Sequence, residues 1–231
     1  MKRCACNVLF VLTILAIGLK AWAVQPSVFP LTPTFTIYAP HGNVGYLASL
    51  GVAADVNGDG TPDLIYTEVP GSGSSDAYLV AVMGQAGNQP SQIPTDLGAC
   101  TPTLMAAGDV NGDKKADVVL TCSQGFMEVL IGSGDGTFQT PVTSSAPAGA
   151  HSTMILADLN SDGHPDIAWA TLITGISGYT IDLNTGNGHF GTPQTYSLPA
   201  QWSSSQIAAG DINGDGKQDL PDRHWRCERG L

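Results

Sequence analysis

Positive charge is scarce in this chain, which carries nine Lys and Arg residues against twenty Asp and Glu in 231. Between Arg3 and residue 222 there is no arginine at all. Such a surface repels polyanions, so neither nucleic acid nor anionic lipid is an expected partner. Aromatic residues are also sparse at 7%, and no sustained 3.6-residue apolar periodicity appears after the first two dozen residues, so helices should be few. Long apolar runs are missing too, apart from one near the start. That run, Val8 to Leu19, follows Lys2 and Arg3 and leads to Ala21-Trp22-Ala23. This is the pattern of a secretory signal peptide over 1–23, and the run is short for a membrane span. Cleavage would leave 6 basic and 20 acidic residues, a formal charge of −14. The expected location is therefore secreted, extracellular or at the cell surface, with the periplasm as a variant.

Cysteine is equally limited. Cys4 and Cys6 fall in the leader, Cys227 is unpaired by count, and Cys100 and Cys122 flank one apolar hairpin. An exported chain can oxidise that pair to a disulfide, with Cβ geometry deciding the matter.

What is abundant is Asp and Gly in one arrangement. "DVNGDGTPD" begins at residue 55, "DVNGDKKAD" at 109, "DLNSDGHPD" at 158 and "DINGDGKQD" at 211. The spacings of 54, 49 and 53 residues mark a repeat array. Twelve of the twenty acids sit in these four segments. Small apolar stretches precede each motif, and "LIYTEV", "VVLTCS" and "IAWATL" follow the first three. Runs of that length and composition, bounded by turn residues, read as buried strands. "MEVLIGSGDGTF" and "YTIDLNTGNGHF" read as strands entering Gly-rich turns. Each unit is then strand, acidic loop, strand, turn, strand, Gly-rich loop and a weaker outer strand, the plan of a four-stranded propeller blade. The expected fold is all-β, a β-propeller-type repeat array with three complete blades and part of a fourth. Expected boundaries are a linker over 24–32, units at 33–88, 89–136, 137–188 and 189–220, and an atypical tail at 221–231. "GSGSS" at 71–75 reads as a flexible insertion.

The acidic motif opens like an EF-hand loop but closes at position 9 instead of 12. A ninth-position carboxylate suits a loop followed directly by a strand. A hard cation takes six to eight oxygens, and Ca²⁺ tolerates irregular shells better than Mg²⁺. The expected side-chain ligands are Asp55, Asn57, Asp59 and Asp63; Asp109, Asn111, Asp113 and Asp117; Asp158, Asn160, Asp162 and Asp166; and Asp211, Asn213, Asp215 and Asp219. Thr61, Lys115, His164 and Lys217, at position 7, would contribute backbone carbonyls. Up to four Ca²⁺ ions are expected. The second loop should be weakest, because Lys114 stands where the first, third and fourth loops have glycine. A left-handed backbone there costs about 1 kcal/mol. The three carboxylates of each loop, taken to lie within a few ångströms, would make the fold metal-dependent.

These loops, with the "GSGDGTF" and "NTGNGHF" turns, resemble the FG-GAP (VCBS-type) repeats of integrin-α-like β-propellers and of many secreted bacterial proteins. The resemblance implies one calcium per loop on one face, and adhesion or ligand binding, without specifying a ligand. The chain departs from the usual seven blades, and "LPDRHWRCERGL" after Asp219 breaks the strand pattern with Pro221 and three arginines. A shifted or prematurely ended reading frame would explain that change; a genuine short tail, or self-association of incomplete arrays through open edges, are the alternatives.

Catalytic signals are thin. His41, His151, His164, His189 and His224 lack metal-ligand spacing. His151-Ser152 lies near Asp158, but that aspartate is committed to the third loop. Trp169 and Tyr66 read as core. The functional expectation is a non-enzymatic, calcium-dependent module binding protein or glycan. Its rivals are a fragment, catalytic or not, of a larger secreted carbohydrate-active enzyme, and a ligand-free spacer of a surface protein.

Overall fold

The computed structural model describes residues 46–70, 76–84, 91–149, 151–173, 176–198 and 206–220. The leader, the linker, the 71–75 insertion, the tail, Cys227, His41 and His224 lie outside the described residues. All regular structure among the described residues is β, and no helix there is long and apolar enough to cross a membrane. Twelve strands form three four-stranded antiparallel sheets. The first holds β1 (Tyr46–Ala54), β2 (Asp63–Pro70), β3 (Tyr78–Val82) and β4 (Gln92–Asp96). The second holds β5 (Pro102–Gly108), β6 (Asp117–Cys122), β7 (Phe126–Leu130) and β8 (Val142–Ser145). The third holds β9 (His151–Ala157), β10 (Asp166–Ile173), β11 (Ile176–Asp182) and β12 (Gln194–Leu198). In each sheet the strands lie in chain order, with β1 against β5 and β5 against β9. This is the up-and-down plan of propeller-type blades. The fourth motif carries only the bridge between Gly210 and Asp219.

The apolar runs form strands because both of their faces find cover. Along β6 alternate side chains leave on opposite faces. Val118 and Leu120 pack with Ile65, Leu79 and Ala81 of the first sheet. Val119 packs with Ile167 and Trp169 of the third. The whole of β6 is buried, and each fully buried Val or Leu side chain contributes roughly 1.5–3 kcal/mol. Trp169 and Tyr66 are buried, as their strand positions require.

Neighbouring sheets are also latched by backbone. The Gly136 N–H, in the turn between β7 and β8, donates to the Val56 carbonyl in the first acidic loop at 2.9 Å. The Gly188 N–H donates equivalently to the Val110 carbonyl of the second loop at 3.2 Å. Gly136 has φ 86°, a left-handed backbone that glycine adopts without strain, and a Cβ there would displace the end of the Met83 side chain. Cys100 and Cys122 are joined by a disulfide that ties the chain before β5 to the end of β6.

The sheets span 46–96, 102–145 and 151–198, so each closes later than the sequence units drawn above. The Gly-rich turns fall inside the second and third sheets, ahead of β8 and β12. Those edge strands, like β4, are short, largely polar and at most half-buried where described, so no apolar run announces them.

Candidate metal centre

The first three acidic motifs each connect the first two strands of a sheet, and the fourth is closed by the Gly210–Asp219 bridge. The residue before position 1 pairs with position 9 in all four copies: Ala54 with Asp63, Gly108 with Asp117, Ala157 with Asp166, and Gly210 with Asp219. The ladder resumes at position 9, and that is why the motif closes there.

Inside the loop one set of hydrogen bonds recurs. In the first copy Asp55 accepts from the Gly58 and Gly60 N–H groups at 2.7 and 2.8 Å. Asn57 Oδ1 accepts from Asp59 N–H at 2.9 Å, and Asp59 accepts from Thr61 N–H at 2.8 Å and from the Thr61 hydroxyl. In the second, Asp109 takes the Gly112 and Lys114 amides, Asn111 that of Asp113, and Asp113 that of Lys115. In the third, Asp158 takes Gly163, Asn160 takes Asp162, and Asp162 takes His164. In the fourth, Asp211 takes Gly214 and Gly216, Asn213 takes Asp215, and Asp215 takes Lys217. Positions 1, 3 and 5 are thus pre-organised by backbone. Hydrogen bonds from Thr61, hydroxyl first, hold the Asp59 carboxyl below its ordinary value, and the His164 N–H does the same for Asp162.

Position 9 behaves differently. Asp63, Asp117 and Asp166 are 1%, 0% and 0% exposed. One oxygen accepts from the position-2 N–H of Val56, Val110 or Leu159 at 3.1, 2.9 and 2.9 Å. The other accepts from the residue two beyond the end of the third strand, Gly84, Gly132 or Asn184, each at 2.8 Å. Burial pushes Asp117 and Asp166 up, partly offset by these donors. Asp219 is half-buried and keeps only the Ile212 bond among the described residues, at 3.0 Å. Among the described residues no loop gathers its three carboxylates within 4.8 Å of one another. That corrects the expected crowding: the two backbone bonds of position 9 hold it against the strands. This clip between first, second and third strands was invisible in the motif, because its second donor is supplied from the far end of the third strand.

The donor set suits a hard cation. It is oxygen throughout, and a carboxylate oxygen that accepts one N–H retains a lone pair. The residues that would hold Ca²⁺ are the side chains at positions 1, 3, 5 and 9 and the position-7 carbonyls. Such an ion would supply positive charge to these carboxylates, which among the described residues have one ion pair of their own, Lys115 with Asp113 at 4.0 Å in the second loop.

Lys114 occupies the left-handed region at φ 67°, as position 6 demands. Position 4 demands it too: Gly58, Gly112 and Gly214 have φ 76°, 81° and 80°, and Ser161 has φ 63°. The Lys114→Gly variant should be more stable by about 1 kcal/mol in thermal unfolding, through loss of that strain.

Among the described residues the histidines do not assemble a site. His151 Nε2 lies 3.3 Å from the Pro147 carbonyl and its ring 5.3 Å from Trp169, while Asp158 is held by loop amides. His164 offers its N–H to Asp162, and the His189 carbonyl accepts from Thr185.

One buried acid outside the loops belongs to no motif in the sequence. Asp182, 1% exposed at the end of β11, has no hydrogen-bond partner on either oxygen; the Trp169 indole N–H approaches without closing a bond. Burial raises its pKa from 3.8 to about 6. The folded value exceeds the unfolded one, so this group favours the unfolded state increasingly as pH rises through that window. Asp182→Asn should therefore raise the melting temperature at pH 8, by on the order of 2 kcal/mol of stability after allowance for screening. The gain should disappear below about pH 4.

Three sheets of this topology, each bearing the same Asp/Asn loop between its first two strands, define a class of blade-type repeat protein. The FG-GAP-like repeat family matches residues 55–120, 109–169 and 171–220, together more than half the chain, and the protein belongs to that family. Among solved structures, the V. cholerae biofilm matrix protein Bap1 is similar at 22% identity with a TM-score of 0.43. The likeness covers 80% of this chain and 29% of that one. The search of curated proteins gave no match.

Proposed function

We propose that this protein is an exported, calcium-binding repeat module that recognises protein or glycan through its loop-bearing side and performs no catalysis. The observation that carries the reading is the recurrence of one oxygen-donor loop, with one internal hydrogen-bond set, in four places. An accidental Asp/Gly turn would not keep position 1 bonded to the position-6 amide in every copy. Export is supported by the Cys100–Cys122 disulfide, since such bonds persist in oxidising compartments. Recognition is supported by the sidedness of the array, because the first three loops join the same pair of strands in their sheets. Self-association through open sheet edges belongs to the same reading.

Titration calorimetry should show folded protein taking up more than one Ca²⁺ per chain, with the Lys114 loop weakest. A folded sample that takes up none would remove the metal from the reading. A glycan array and an assay for glycan cleavage then separate the remaining parts. Retention without turnover supports a binding module, and product formation refutes it.

A further inference from the structure

Glu128 breaks the pattern of its repeat. It pairs with Leu120 across β6–β7, a register position filled by Val80 in the first sheet and Thr180 in the third. It is 7% exposed, its Oε2 has no hydrogen-bond partner, and burial pushes its carboxyl up. A buried carboxylate without a counter-charge is unfavourable, so its surroundings matter. One oxygen of Glu128 and the sulfurs of Cys100 and Cys122 all lie within 4.8 Å of one another, and all three residues are buried.

We propose that, once the disulfide is reduced, Cys100, Cys122 and Glu128 form a three-ligand site for a thiophilic divalent cation such as Zn²⁺. Two thiolates and a carboxylate are a borderline-soft donor set, unlike the all-oxygen loops, and Ca²⁺ has little affinity for it. The cation supplies the charge that Glu128 lacks. Reduction requires a dithiol. Its two electrons break the Cys100–Cys122 bond, its two protons pass to the sulfurs, and it leaves as a cyclic disulfide. Metal binding then releases the two thiol protons to solvent, with the Glu128 proton where that carboxyl carries one. The three ligand residues are enclosed, and two of them border cavities. Cys122 lines a cavity of about 300 Å³ beside Thr103, Ser123 and His151. Glu128 lines a second, of about 390 Å³, beside Asp96, Phe126 and Thr143.

The test uses the full chain bearing Cys4→Ser, Cys6→Ser and Cys227→Ser, which leaves Cys100 and Cys122 as its only thiols; it is reduced with dithiothreitol, desalted without oxygen, and titrated with Cd²⁺ at saturating Ca²⁺. We expect one equivalent of Cd²⁺ to bind with a thiolate-to-metal charge-transfer band, and Zn²⁺ to displace it. Cys100→Ser should abolish the band, and Glu128→Gln should weaken binding at least about tenfold. The oxygen-only loops give no such band, so failure of the calcium reading leaves this readout untouched. Equal affinity in Glu128→Gln, absence of the band, or loss of sheet circular dichroism on reduction that Cd²⁺ does not reverse would each overturn the proposal.

Discussion

Addition of EDTA to the Ca²⁺-loaded protein should lower its melting temperature by more than about 10 °C, and excess Ca²⁺ should restore it. The expectation follows from how the acids are placed. Each motif brings three carboxylates into one connection nine residues long, and burial already disfavours the ionised forms of Asp117 and Asp166. A cation bound only by the folded loop adds about 2.7 kcal/mol at a hundredfold excess over its dissociation constant. Three occupied loops would add roughly 8 kcal/mol, and each kcal/mol moves the midpoint of a chain this size by about 2–4 °C. Mg²⁺ should restore less, because it holds its water and demands a stricter shell. Scanning calorimetry with EDTA, Ca²⁺ and Mg²⁺ measures all three, and a midpoint indifferent to them would take calcium out of the account.

The second large effect is independent of metal. Asp117→Ala should cost about 3–6 kcal/mol even in EDTA. Its carboxylate is fully buried and receives the Val110 and Gly132 N–H groups. Truncation leaves two buried donors unsatisfied, and a hydrogen bond to a charged acceptor contributes roughly 1.5–3 kcal/mol. Asp219→Ala removes a half-buried carboxylate and should cost much less. Asp109→Ala should act chiefly on calcium affinity, since Asp109 is half-buried and its amide donors lie in an exposed loop. Urea unfolding of the three variants, with and without Ca²⁺, separates the clip from the ligands. Equal costs for Asp117→Ala and Asp219→Ala would show that burial of position 9 does not matter.

Legibility followed the range of the interactions. The inner strands could be read because apolar runs alternate with Asp/Gly turns at a steady spacing, and β2, β3, β6, β7, β10 and β11 lie where those runs do. The left-handed backbone at Lys114 could be read because one residue in a known loop position carries it. The edge strands could not, since "VTSS" and "QTYSL" take their conformation from hydrogen bonding to β7 and β11 rather than from burial of their own. No local pattern marks Asp182 as buried, yet the packing beside Trp169 encloses it.

By itself, then, the sequence determined the class of fold, the four loops and the oxygen chemistry they offer, because each depends on residues within nine positions or on simple alternation. Only the tertiary structure decided that position 9 is a buried clip, that Gly136 and Gly188 latch one sheet to the loop of the sheet before it, and that Glu128 meets a disulfide. Those contacts join residues from different strands and different sheets. No local pattern encodes them, because the partner's position is set by how the sheets stack.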